Sequence, residues 1–163
     1  MGQAIFFSGP IGTGKTTLGR AVAGRLDARF FDGDDFAVHD RPWYASSLST
    51  SAGIADAVRV ALSNHRLAVV AYPLRRTNYV YFCRRLGAAG HQMTVVTLRA
   101  SMVRIVDPTR GRTFSPTEVT RIGEMIAEGY DARPFSDLVC HTDASSFGQT
   151  VETLLSRLQP LLM

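Results

Sequence analysis

The sequence predicts a three-layer α/β protein, with a five-stranded parallel sheet and helices on both faces. Three observations predict it. Strand-like and helix-like segments alternate along the whole chain, the pattern that builds parallel sheets. The strand-like segments are nearly continuous apolar runs, as strands covered on both faces must be. And 163 residues are enough to enclose one well-buried core but not two.

Taken in order, Gln3–Ser8 (QAIFFS) is a short apolar run that stops at glycine and predicts the first strand. Thr16–Leu26 has helical spacing, with Leu18, Val22 and Leu26 on one face. Arg29–Phe31 predicts the second strand and an acidic turn follows it. Gly53–Asn64 predicts a helix, with Ile54, Val58, Ala61 and Leu62 in register. Leu67–Ala71 (LAVVA) is the third strand, Thr77–Ala88 a helix and Gln92–Leu98 the fourth strand. Arg104–Phe114 is rich in Arg, Gly and Pro and predicts a loop. Ser115-Pro116-Thr117-Glu118 combines a capping serine, a proline at the first helical position and a glutamate three residues after the cap. The helix it starts is predicted to end near Gly129. Asp137–His141 predicts the fifth strand, and a final helix from Ser146 carries Val151, Leu154, Leu155 and Leu158. There are no repeats and no low-complexity linker.

Composition excludes several classes. Hydrophobic residues are 45% and charged residues 20% of the chain, as in an ordinary globular protein. No apolar run approaches the roughly 18 residues of a membrane span, and the N-terminus has no basic region of the kind a signal peptide carries. The expectation is therefore a cytoplasmic protein with no membrane partner. Cys83 and Cys140 are far apart and predict reduced thiols. His65, His91 and His141 have no partner at metal-ligand spacing. Net charge is +4, but the arginines are spread along the chain, so no nucleic acid is expected as a partner. Nothing in the sequence separates a monomer from a homodimer.

Lys15 is the only lysine; the other basic residues are all arginine. It lies in Gly9-Pro10-Ile11-Gly12-Thr13-Gly14-Lys15-Thr16, which fits G-x-x-x-x-G-K-[ST] between a buried strand and a helix. Glycines at 9, 12 and 14 let backbone N–H groups turn inward around phosphate oxygens. The helix N-terminus adds partial positive charge. A compact ammonium reaches the β- and γ-phosphates where a planar guanidinium would be bulky. The expected nucleotide-binding residues are Gly9, Gly12, Thr13, Gly14, Lys15, Thr16 and Thr17, with the Thr16 hydroxyl on Mg²⁺. The donor is expected to be ATP.

Asp32-Gly33-Asp34-Asp35 follows the second strand. Ligands of open α/β sheets sit at the carboxyl ends of the strands, so these acids face the phosphates. One carboxylate there can hold a metal-bound water and another can accept the proton of an attacking hydroxyl.

A glycine-rich loop of this type followed by Asp-Gly-Asp resembles the gluconate kinase and shikimate kinase group of small-molecule kinases. Val69–Tyr79 resembles the third strand and basic segment of gluconate kinases, and Arg133–Val139 the segment before the last strand of shikimate kinases. The resemblance is most specific over residues 3 to 35. It implies a P-loop fold like that of nucleoside-monophosphate kinases, spanning 1–163 as one domain. Within it, the acceptor-binding segment would fall at about 35–64 and the lid at about 104–117. It also implies Asp34 as the base, Asp32 near the metal, and a lid arginine, Arg110 or Arg112, over the transferring phosphoryl. Arg75, Arg76 and, on the shikimate kinase pattern, Arg133 are acceptor-binding candidates, together with Arg41 in the segment after the acids.

The chain also departs from that group. Tyr72-Pro73-Leu74 replaces the shikimate-type glycine triplet, and Asp35–Tyr44 lacks the gluconate-type His-Pro. The acceptor is thus expected to be neither shikimate nor gluconate, but a sugar-acid-like molecule or cyclic polyol. Trp43 and Tyr44 offer an aromatic wall, which leaves a nucleoside or nucleotide kinase as the alternative. A regulatory nucleotide-binding switch is the alternative from another class. Against it stand the acid placed for a hydroxyl proton and the absence of a guanine-reading N-K-x-D.

Overall fold

The computed structural model describes residues 1–40 and 43–162, and all their side chains except those of 43–45. Strands β1 (Gln3–Ser8), β2 (Arg29–Asp32), β3 (Leu67–Ala71), β4 (Gln92–Arg99) and β5 (Leu138–His141) form one parallel sheet in the order 2-3-1-4-5. Around it lie α1 (Lys15–Arg25), α2 (Trp43–Leu62), α3 (Arg76–Gly87), α4 (Met102–Ile105), α5 (Pro116–Ala127) and α6 (Phe147–Leu158).

β1 is central and every one of its six residues is buried, which is why residues 4–7 read as an apolar run between the buried polar ends Gln3 and Ser8. The pleat divides its side chains between two cores. Ile5 and Phe7 pack with Leu18 and Val22 of α1 and with Leu154 and Leu158 of α6. Ala4 and Phe6 face the other way, onto Ile54 and Val58 of α2 and Phe82 and Leu86 of α3. A third, smaller cluster joins Ile105 to Ile122, with Ile11 and Phe114 packed against it.

Register decides where the site forms. Phe7 lies opposite both Ala71 and Val96, and Asp32 opposite Ala71. The carboxyl ends of β1, β2, β3 and β4 therefore open onto one edge, where ligands of such sheets bind.

Two segments differ from the sequence expectation. α2 begins at Trp43, ten residues before the predicted Gly53, although the added stretch is full of serine and threonine, weak helix formers that prefer caps and turns. Tertiary partners offset the propensity: Ser51 is buried and accepts a bond from Asn78 Nδ2 at 2.9 Å, and Thr50 donates to the Phe36 carbonyl at 3.3 Å. The polar stretch 104–114 holds more order than a loop. α4 reaches into it, and Pro108–Arg110 forms a 3-10 turn whose cap, Asp107, accepts from Thr109 N at 2.9 Å. Buried Ile105 anchors the segment against α5. The capping box at Ser115 and Glu118 forms as expected.

Candidate active site

The loop between β1 and α1 turns on three glycines with positive φ: Gly9 (139°), Gly12 (80°) and Gly14 (97°). At Gly9 there is no room for a side chain either, since a Cβ would lie 2.5 Å from the Leu98 carbonyl oxygen. Buried Thr13 braces the loop by donating to the Pro10 carbonyl at 2.8 Å. The Lys15 ammonium folds across it, donating to the carbonyls of Gly9 (2.9 Å) and Pro10 (2.7 Å). Burial is the main force on this amine and lowers its pKa to about 8. The Asp34 and Asp32 carboxylates pull the other way, and Arg112 adds to the lowering.

Asp32 ends β2 and its two oxygens hold two elements together. Oδ2 accepts from the Thr16 hydroxyl at 2.9 Å and Oδ1 accepts from Asp34 N at 3.1 Å. Gly33 passes so close to Tyr72 and the Ala71 carbonyl that a Cβ would collide with both. This close passage turns the chain so that Asp34 is exposed and lines the cavity beside the loop.

That cavity has a volume of about 1000 Å³ and runs in three directions from Lys15. Toward α2 and α3 it is walled by Ser47, Tyr72, Arg75, Asn78 and Tyr130. Over the loop lie Arg110, Arg112 and Phe114. Toward β5 and α6 lie Arg104, Thr142, Asp143 and Phe147. In this last arm the Thr142 hydroxyl is buried without a hydrogen-bond partner among the described residues, a costly state unless a ligand meets it. In the first arm burial pushes the Tyr72 phenol up, against its bonds with Ser51 and Ser47.

The two arginines expected on a lid are placed differently. Arg112 stacks on the Phe114 ring at 4.6 Å and pairs with Glu118 at 3.3 Å. Arg110 reaches back to the Arg104 carbonyl at 3.5 Å, the outer limit of a hydrogen bond. Among the described residues no three His, Cys, Asp or Glu side chains gather as a metal cluster. The Thr16 hydroxyl and the Asp32 carboxylate are instead hard oxygen donors beside the phosphate loop, the donor set Mg²⁺ prefers when it keeps most of its waters.

Comparison with known proteins bears on the fold. A family model described as "ATPase family associated with various cellular activities (AAA)" matches residues 5–65, less than half of the chain. A shikimate kinase from Burkholderia lata is 67% identical over 30 residues, which are 18% of this chain and 16% of that protein. The chain thus spans only a small part of the curated relatives it matches. Solved structures match nearly throughout. A gluconokinase from Sinorhizobium meliloti superposes with a TM-score of 0.78 at 17% identity, covering 98% of this chain and 93% of that one. The fold is that of the P-loop small-molecule kinases. An APS kinase from Mycobacterium tuberculosis, solved with AMPPNP and APS, has the same fold at TM-score 0.69 and 14% identity, covering 97% of this chain and 98% of that one.

Within this P-loop kinase fold, Gly12, Thr13, Gly14, Lys15, Thr16, Thr17, Asp34, Arg75, Arg110 and Arg112 all line one cavity. Gly9 lies beneath the loop and Asp32 behind Thr16, each held by the contacts above. Arg76 is exposed at the start of α3 and Arg133 packs behind Tyr130; neither lines the cavity. Arg41 and the side chains of Trp43 and Tyr44 lie outside the described residues. Sequence reasoning missed Tyr72, Asn78, Tyr130 and Thr142. Tyr72 and Thr142 carried a local signal, their place directly after the carboxyl ends of β3 and β5; Asn78 and Tyr130 arrive from α3 and the turn after α5.

Proposed function

We propose that this protein transfers the γ-phosphoryl group of ATP to a hydroxyl of a small polar or anionic metabolite, sugar-acid-like or a cyclic polyol. One observation carries the reading. A single cavity of about 1000 Å³ joins the phosphate loop, an exposed carboxylate at the end of β2, two arginines over the loop and the polar side chains of Ser47, Tyr72, Arg75 and Asn78. A switch that only binds and hydrolyses nucleotide has no need of that last group.

In this reading the loop amides and Lys15 hold the β- and γ-phosphates, and the arm with the orphaned Thr142 hydroxyl receives the base. The Thr16 hydroxyl and the Asp32 carboxylate would hold Mg²⁺, which would supply positive charge against the phosphate oxygens. Asp34 accepts the proton of the acceptor hydroxyl as that oxygen bonds to the γ-phosphorus, and the bridging oxygen leaves with ADP. Arg112 or Arg110 covers the charge that spreads over the transferring group. Such transfer is mostly positioning, so the acceptor arm sets specificity: Ser47, Tyr72 and Asn78 offer bonds to hydroxyls, and Arg75 offers a cation. The lid is the segment 104–117 and the acceptor segment is 35–64, parts of one domain spanning the chain. The protein works in the cytoplasm; among the described residues no helix is long and apolar enough to cross a membrane.

The test is ADP release from Mg·ATP against sugars, sugar acids, cyclic polyols and nucleosides. Strong stimulation by one sugar acid or polyol supports the proposal. Stimulation by nucleosides alone replaces it with the nucleoside kinase reading, and slow hydrolysis that no acceptor stimulates replaces it with a switch.

A further inference from the structure

We propose that Arg75 carries the acceptor's anionic group, and that Arg133 is a positioning residue that sets Arg75 through Tyr130 without touching the acceptor. This rests on the kinase reading above.

Arg133 faces away from the cavity. Its Nε donates to the Leu74 carbonyl at 3.0 Å and its Nη1 to the Glu128 carbonyl at 3.1 Å. Its guanidinium carbon stands 4.0 Å above the centre of the Tyr130 ring. Two main-chain carbonyls and one aromatic face are what a planar fork satisfies at once and an ammonium does not.

What Arg133 grips leads to Arg75 by two routes. Through the ring, it fixes Tyr130, which is 3% exposed and whose hydroxyl accepts from Arg75 Nε at 2.6 Å. Through the main chain, it holds the carbonyl of fully buried Leu74, whose N–H donates to Ser8 Oγ at 2.9 Å. Arg75 is the next residue, and its own N–H donates to Asn78 Oδ1 at 3.4 Å. A guanidinium fixed at Nε by a clamped tyrosine presents its outer edge in one direction, the arrangement that recognises a carboxylate or phosphate through two parallel bonds. Arg75, Tyr130 and Asp34 all line the cavity, which places this cation and the candidate base in one chamber.

The test takes each sugar acid or polyol that stimulates ADP release from Mg·ATP and compares it, as acceptor, with its counterpart on the same carbon chain that ends in the other group, carboxylate or alcohol. A charge-assisted bidentate contact favours the carboxylate of each pair by about tenfold or more in kcat/KM. Arg75→Gln brings that ratio to near one. Arg133→Gln and Tyr130→Phe each lower it by about three- to tenfold through the acceptor KM, with the KM for ATP unchanged. The Arg75→Gln/Arg133→Gln double variant matches Arg75→Gln alone, because Arg133 acts only through Arg75. Tyr130→Phe keeps the ring and removes only the hydroxyl, so it reports on the relay even if Arg133→Gln unfolds. A double variant that loses further preference beyond Arg75→Gln makes Arg133 a direct contact and overturns the assignment, as does a Tyr130→Phe ratio equal to wild type. Phosphorylation of the uncharged members alone overturns it and leaves the kinase reading standing. ADP release stimulated by no acceptor of any class overturns both.

Discussion

Phe114 occupies the space that a side chain on Gly12 would need. A Cβ at Gly12 would stand 2.7 Å from the Phe114 ring and 2.7 Å from a methyl of Ile105, so the segment after α4 lies directly on the phosphate loop. The third apolar cluster is the contact surface between them. The segment that carries Ile105 and Phe114 and the phosphate loop therefore share one packed contact.

Gly12→Ala tests that contact. The residue also has φ +80°, a conformation costing a non-glycine residue about 1–3 kcal/mol. The variant is expected to lose nucleotide affinity by about tenfold or more, read by titration with a fluorescent ATP analogue. Phe114→Ala in the same chain relieves one of the two clashes but leaves the Ile105 methyl and the dihedral, so it is expected to restore affinity only in part. Full restoration would show that crowding alone mattered.

Lys15 makes nucleotide binding pH-dependent. Its amine titrates at about 8 in the nucleotide-free fold, and the phosphates of a bound nucleotide raise that value. Binding above about pH 8 therefore takes up a proton, and affinity falls with rising pH by up to about tenfold per unit. Calorimetry at pH 8.5 in buffers of different ionisation enthalpy reads the uptake directly; none would mean that the amine is already charged. For stability the sign reverses. The unfolded lysine titrates near 10.5, so the unfolded chain binds more protons between about 8 and 10.5, and the nucleotide-free fold gains stability as pH rises through that window.

Asp34→Asn removes the proposed base and leaves the phosphate loop intact. Turnover is expected to fall by about 10²–10⁴-fold with ATP affinity within a few-fold of wild type. Asp32→Asn keeps only one acceptor oxygen for the Thr16 hydroxyl and Asp34 N, and removes a charge; it is expected to lower turnover and to raise the Mg²⁺ concentration that turnover needs. Unchanged turnover in Asp34→Asn takes the base role from that residue.

Arg112 and Arg110 separate through Lys15. Arg112 contributes to lowering the lysine pKa, so Arg112→Gln is expected to move the pH midpoint of nucleotide binding upward. Arg110→Gln is expected to leave the midpoint in place, since its contact is the Arg104 carbonyl. Whichever variant loses about 10³-fold or more in turnover identifies the arginine that covers the phosphoryl group.

Thr142→Val removes the orphaned hydroxyl at nearly constant volume. The nucleotide-free protein is expected to be as stable as wild type or more so, because an unsatisfied buried group is lost. ATP affinity is expected to fall by about three- to tenfold if the base meets that hydroxyl. Equal affinity would mean that the hydroxyl faces no part of the nucleotide.

The sheet was legible because its signals are local. A strand covered on both faces is mostly apolar, as β3 is throughout and β1 and β4 are in their centres; Ser115 and Glu118 satisfy each other's backbone donors within four residues. α2 was legible only in its second half, where Ile54, Val58 and Leu62 mark the buried face. Its first half is helical because Ser51 and Thr50 find partners on α3 and after β2, and no window of sequence contains those partners.

By itself, then, the sequence determined the layered fold, the phosphate loop and the acids at the end of β2. Each is encoded in a short stretch whose backbone demands, glycine at positive φ or an apolar strand between helices, few other residues satisfy. Tertiary structure decided the rest: Arg75 in the cavity, Arg133 turned to the carbonyls of Leu74 and Glu128, and Tyr130 between them. All three side chains are of types that serve equally well on a surface. Their directions follow from strand register and from carbonyls left over by distant elements, which a sequence read segment by segment does not contain.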